Sequence, residues 1–79
     1  MTLTILYFAQ LAEERGTAQE RLTGDYADLA ALYNALHAQH HFSLAQNQLR
    51  VARNQMFAEW TDAPQDGDEI AFIPPVSGG

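Results

Sequence analysis

The 79-residue chain predicts an α+β fold, a mixed sheet with one main helix packed across one face. Three observations carry this expectation. β-branched and aromatic residues alternate at the start, a dense apolar run stands near the end, and between them lies one stretch with apolar residues at helical spacing.

Thr2 to Ala9 reads as a first strand, with Leu3, Ile5 and Tyr7 on one face and Leu6 and Phe8 on the other. Gln10 to Arg15 is too short for an independent helix but fits a single turn, which Gly16 breaks. Thr17 to Leu22 follows as a second strand with Thr23-Gly24 as its turn, near enough to pair antiparallel with the first. The main helix starts at Asp28, a good N-cap, and its stripe of Leu29, Leu32, Tyr33 and Leu36 covers the sheet. It ends between Gln39 and His41, after which Phe42-Ser43-Leu44 anchors an irregular connection. Leu49 to Arg53 is a third strand, Asn54-Gln55 a turn, and Met56 to Trp60 a short fourth strand. The acidic turn Asp66-Gly67-Asp68-Glu69 delivers the last strand, Ile70 to Ile73. First and last strands lying parallel at the sheet centre would explain their apolar density, and that arrangement is the β-grasp, or ubiquitin-like, architecture. A domain over 1–73 then carries an extended diglycine tail over 74–79.

Composition narrows the function. The net charge is −6, and the four positive side chains, Arg15, Arg21, Arg50 and Arg53, leave no lysine. Nucleic acid and anionic membrane are poor partners for such a chain, because no basic stripe exists to release counterions; a basic protein partner suits it better. No stretch approaches a membrane span and Met1-Thr2-Leu3 opens no signal sequence, so a cytoplasmic location is the default. The absence of cysteine excludes disulfides, thiolate metal sites and a thiol nucleophile.

If the helix covers the face bearing Leu3, Ile5, Ile70 and Phe72, alternation sends Phe8, Phe57 and Ile73 to the opposite side, where no second helix is available. Three large apolar groups near water on a small domain mark a protein interface, here at the root of the tail.

The tail itself has a chemistry. Pro74 and Pro75 favour extended polyproline geometry and direct Val76, Ser77, Gly78 and Gly79 away from the body, with a reach of roughly 20 Å. Glycines at 78 and 79 offer a thin thread that can enter a narrow channel. A carboxylate reacts only once it gains a leaving group, such as an acyl adenylate made with ATP, and the diglycine leaves the approach to the α-phosphate open. The activated acyl group then passes to an amine, giving protein conjugation, or to a sulfur donor, giving a thiocarboxylate. Other constellations are weaker. His37 and His41 share an i, i+4 spacing but lack a clear third ligand, and with His40 they suit a helix C-terminus, so no metal is expected. Asp66, Asp68 and Glu69 lack the remaining ligands of a calcium loop and read as a turn. Trp60 reads as packing or rim.

Phe8-Ala9-Gln10-Leu11 with Glu13 and Gly16, Asn54-Gln55, and the run from Asp66 through Ile73 to Pro74-Pro75-Val76-Ser77-Gly78-Gly79 resemble the small subunit of molybdopterin synthase. The resemblance spans almost the whole chain. It implies a β-grasp sulfur carrier whose Gly79 is adenylated by an E1-like activating enzyme and converted to a thiocarboxylate. The chain itself would bind no cofactor, the ATP being used by the activating enzyme. The tail from Pro74 to Gly78 would thread into a large subunit, which transfers sulfur to cyclic pyranopterin monophosphate within a heterotetramer. Phe8, Phe57 and Ile73 match the family's apolar contact with that subunit, the same three that alternation selects. Arg53 departs from the pattern, standing where the family has an apolar residue before the Asn. A ubiquitin-like modifier conjugated through Gly79 is the alternative; a thiamin-pathway carrier is a nearer neighbour that lacks the Pro-Pro-Val-Ser lead.

Overall fold

The computed structural model describes residues 1–75; the tail residues Val76, Ser77, Gly78 and Gly79 lie outside the described residues. The elements are β1 (Thr2–Tyr7), α1 (Gln10–Arg15), β2 (Gln19–Thr23), α2 (Leu29–His40), a 3-10 turn (Gln46–Gln48), β3 (Arg50–Arg53), β4 (Met56–Phe57) and β5 (Glu69–Ile73). They build one sheet in the order β2-β1-β5-β3-β4. β1 and β5 run parallel from Thr4↔Glu69 to Tyr7↔Phe72, and every other pair is antiparallel. The arrangement expected for the first and last strands is therefore the one observed.

Strand alternation puts Leu3, Ile5, Tyr7, Val51, Ile70 and Phe72 on one face, where α2 lays Leu29, Leu32, Tyr33 and Leu36 over them. Burying each such side chain stabilises by about 1.5–3 kcal/mol relative to leaving it in water. Tyr33 is the hub of this layer. Its ring meets Phe72 edge-on at 5.0 Å and packs near Trp60 and Phe42, while its hydroxyl donates to the Leu44 carbonyl at 2.6 Å. Burial pushes that phenol up to about 12.

The N-terminus of α2 is satisfied partly from a distance, whereas its C-terminus is closed locally by the His41 amide on the His37 carbonyl. Asp28 Oδ1 accepts the Ala31 amide at 2.8 Å, and the amides of Leu29 and Ala30 donate to the Asp62 and Trp60 carbonyls. This explains one difference from the expected elements: the fourth strand stops at Phe57 rather than running to Trp60. Beyond Ala58, whose amide still reaches the Val51 carbonyl, the chain turns its carbonyls to the helix instead of to β3. Trp60 is packing, stacked on Phe72 with ring centroids 6.1 Å apart.

The first strand also ends earlier than expected, at Tyr7, because Ala9 adopts φ 49, ψ −122 and the Leu11 amide closes back on the Phe8 carbonyl. Those angles belong to the first central position of a type II′ turn, which favours glycine. The second strand is displaced for a related reason: α1 extends over six residues to a left-handed Gly16, so pairing with β1 resumes only at Gln19 and continues to Thr23. Beneath α1, Glu20 accepts the Tyr7 hydroxyl at 2.5 Å and a bidentate pair of donors from Arg15, each at 3.0 Å. The Arg15 guanidinium holds the Glu20 carboxyl below its usual range. Burial, then Glu20, pushes the Tyr7 phenol well up, so it stays a donor.

Two outcomes follow. Ala9→Gly is expected to stabilise the fold by about 1 kcal/mol in urea unfolding, because relieving strain of about 1–3 kcal/mol outweighs the chain entropy that glycine adds. The exposed Ala9 side chain forfeits no packing. Glu20→Gln is expected to cost about 1 kcal/mol at neutral pH. Since the folded carboxyl titrates below the unfolded one, its stabilisation is complete above the ordinary carboxylate range and is lost as pH falls through the lowered value. The gap between variant and native unfolding curves should accordingly close in acid.

Candidate functional site

The sheet face away from α2 is uncovered. On it β1 contributes Leu6 and the chain just beyond contributes Phe8; β5 contributes Ala71 and Ile73, β3 contributes Ala52, and β4 contributes Phe57. Together with Gln55 and Glu69 these line a shallow groove of about 220 Å³. Its floor is low because two alanines stand side by side, Ala52↔Ala71, and Ala52 is also paired with Phe57. Phe8 is 45% exposed and Phe57 64%, while Ile73 is half-buried between them. The three residues that alternation singled out thus line one groove, with Pro74 leaving from its edge.

β5 carries the tail root, and a polar clamp fixes where that strand starts. Asn54 and Gln55 adopt φ 52 and φ 71, a two-residue hairpin of the kind whose twist suits adjoining strands, and asparagine tolerates the left-handed region better than most residues. The Asn54 side chain accepts the Glu69 amide at 2.9 Å and donates to Asp68 at 3.0 Å, and its backbone amide donates to the Glu69 carbonyl. Asp68, a buried carboxylate, also accepts the Gln65 amide at 2.8 Å. Asp66 accepts the Thr2 amide at 2.7 Å, and Gly67, at φ 86, donates to the Thr2 carbonyl. Two motifs that are distant in sequence form a single anchor between β1, β5 and the β3-β4 hairpin. Arg53, the departure from the family pattern, fits this anchor: its guanidinium donates to the Ala63 carbonyl at 3.1 Å and lies 3.9 Å from Asp68.

Sequence reasoning placed Leu6 on this face beside Phe8 but missed Ala52, Ala71 and Arg50 as parts of it. The period of two in the first and last strands identifies Leu6 and Ala71 once Phe8 and Ile73 are taken, whereas Ala52 requires knowing the β3-β5 register. The histidines lie elsewhere. His37 packs by Tyr33 and His40 by Phe42, and His41 occupies a left-handed cap, so it does not share a helical face with His37. Among the described residues no group of three His, Cys, Asp or Glu side chains is placed to hold a metal, and no helix is long and apolar enough to cross a membrane.

A parallel pair of central strands, a crossing helix and an uncovered face leading to the C-terminal segment define a ubiquitin-like β-grasp protein. SAMP1 from Haloferax volcanii has the same fold, with a TM-score of 0.81 and 30% identity over the whole of both chains. The chain belongs to the ThiS family, whose model matches residues 5–79. It is 35% identical to the molybdopterin synthase sulfur carrier subunit of Escherichia coli, covering 98% of this chain and 99% of that one. With the subunit of the same name from Haemophilus influenzae it shares 38% over the same extents. The resemblance drawn from the Asp66 to Gly79 run is borne out.

The anchor and the groove are expected to separate in mutagenesis. Asn54→Ala removes two side-chain hydrogen bonds and puts a less tolerant residue at positive φ, a cost of about 2–3 kcal/mol in denaturant unfolding. Phe57→Ala, on an exposed side chain, should change stability by no more than about 0.5 kcal/mol.

Proposed function

We propose that this chain is a sulfur carrier that works through the carboxylate of Gly79 in building the dithiolene of molybdopterin. The observation that carries the reading is kinship with molybdopterin synthase sulfur carrier subunits over nearly the full length, with the family match running through Gly79. Three features of the molecule suit it. β5 is held on both edges and ends beside an apolar face, the stiff pair Pro74-Pro75 follows that end directly, and the absence of cysteine leaves no thiol to compete for an activated acyl group.

The proposed chemistry has two stages, and neither is catalysed by this chain alone. In the first, an E1-like enzyme uses ATP: the Gly79 carboxylate attacks the α-phosphorus, pyrophosphate leaves, and an acyl adenylate forms. Sulfide then adds to the carbonyl carbon and displaces AMP to leave a thiocarboxylate; a persulfide donor would instead give an acyl disulfide, whose S–S bond a thiol reductant must cleave to free the thiocarboxylate. In the second, the open face carrying Phe8, Phe57 and Ile73 docks on a large subunit, and Pro74, Pro75, Val76, Ser77 and Gly78 thread Gly79 toward cyclic pyranopterin monophosphate. The thiocarboxylate sulfur bonds to a pterin carbon as an oxygen leaving group departs from it, and water then cleaves the acyl carbon–sulfur bond, leaving sulfur on the product and returning the Gly79 carboxylate. Two sulfurs per dithiolene require two loaded carriers, which suits a heterotetramer. This chain's part is to position and to bind; we place the cycle in the cytoplasm.

A second reading has its own support, since SAMP1, a small archaeal modifier protein, is similar over the whole chain. Conjugation to lysines of other proteins would use the same adenylate. Intact-mass measurement after coexpression with the activating enzyme and sulfur donor separates the two. The sulfur-carrier reading expects a gain equal to the mass difference between sulfur and oxygen, lost completely on deletion of Gly79 while the circular dichroism is unchanged. Unaltered mass together with tail-dependent adducts of higher mass on blots would replace it with the modifier reading.

A further inference from the structure

We propose that Arg50 and Phe57 form one composite contact that engages a carboxylate on the wall of the partner that receives the tail. This rests on the functional reading above and adds the chemistry of the surface facing the groove. The guanidinium carbon of Arg50 lies over the Phe57 ring, 4.1 Å from its centroid. Both residues are exposed, and Arg50 is paired with Ile73, the last residue of β5. The stacked group therefore sits at the point from which the tail departs.

The four arginines are not equivalent. Arg15 is spent on Glu20, Arg53 is drawn to Ala63 and Asp68, and Arg21, exposed like Arg50, stands on the edge strand β2 opposite Thr4, away from the root of the tail. Arg50, among the described residues, has no carboxylate within ion-pair distance and donates no side-chain hydrogen bond, although Glu59 lines the neighbouring depression. Stacking engages only the face of the guanidinium plane. Its in-plane N–H donors remain available, and their fork matches the two oxygens of a carboxylate.

With the tail threaded into a partner as proposed above, Gly79 would lie roughly 20 Å beyond Ile73 and out of reach of Arg50, so in that state the acceptor is not the chain's own reacting group. A phosphate-rich polymer is a poor candidate too, because the chain as a whole carries −6. What remains is an acidic side chain on the partner near the mouth of its channel. A cation at the rim of an apolar groove, on a chain of net charge −6, sets docking register by pairing with a single acid and rejecting a base there. Arginine beside an exposed aromatic is also the pairing that protein interfaces favour.

Binding of the full chain to the large subunit, measured by calorimetry at low and high salt, tests this. Arg50→Leu should weaken binding about tenfold and flatten its salt dependence, Arg50→Glu should weaken it about a hundredfold, and Arg50→Lys should fall between native and Leu. Charge reversal of the facing acid in the large subunit should restore binding of Arg50→Glu. Circular dichroism verifies that each variant is folded, which is expected of an exposed site. Native-strength binding by Arg50→Leu, with Phe57→Ala still impaired, would overturn the Arg50 assignment and leave the carrier reading standing. No binding by the native chain would overturn both.

Discussion

The central constraint is the position of β5. It is hydrogen-bonded to β1 on one edge and β3 on the other, with Ile70 and Phe72 pinned under α2 and its first residue tied to Asn54. A strand so placed cannot slip, because a shift of one residue would turn Phe72 to water and Ala71 to the core. The direction in which the chain leaves at Ile73 is thereby fixed by packing that lies wholly within the domain. The uncovered face follows from the same fact, since a sheet with one helix has one face left over.

Polar groups do a different kind of work from the core. The Asn54-Asp68-Asp66 anchor and the Tyr7-Glu20-Arg15 cluster sit at opposite ends of the β1-β5 pair, one beside Thr4 and Glu69, the other beside Tyr7. Each pairs its buried donors and acceptors, and no buried side-chain nitrogen or oxygen among the described residues lacks a partner. Core burial supplies most of the stability of such a domain, while these clusters specify register at the strand ends. The groove contributes little to folding, so its apolar side chains are available for binding.

Much of this was legible in the sequence because the signals were periodic. The stripe Leu29, Leu32, Tyr33, Leu36 and the alternation through Leu3, Ile5 and Tyr7 each followed from one element's own geometry, and Phe8, Phe57 and Ile73 followed by exclusion from the covered face. Long-range contacts were not legible. Nothing local links Asn54 to Asp68, nor tells Trp60 that its carbonyl will be taken by the Ala30 amide, and so the fourth strand was read too long. Ala9 misled for a related reason, since a turn that favours glycine is closed there by alanine. The functional reading came instead from the specific run around Asp66 to Gly79, whose last four residues lie outside the described part of the structure.

In the proposed function a rigid base carries a reactive chain end, and the open face is the handle by which a partner holds it. The most direct test is a single-turnover reconstitution with Gly79 loaded as an isotopically labelled thiocarboxylate, purified large subunit and cyclic pyranopterin monophosphate, followed by mass analysis of the pterin product. The account predicts that the label moves into the dithiolene and that the carrier returns as its carboxylate. Dithiolene formed without label, with the labelled sulfur still on Gly79, would contradict it.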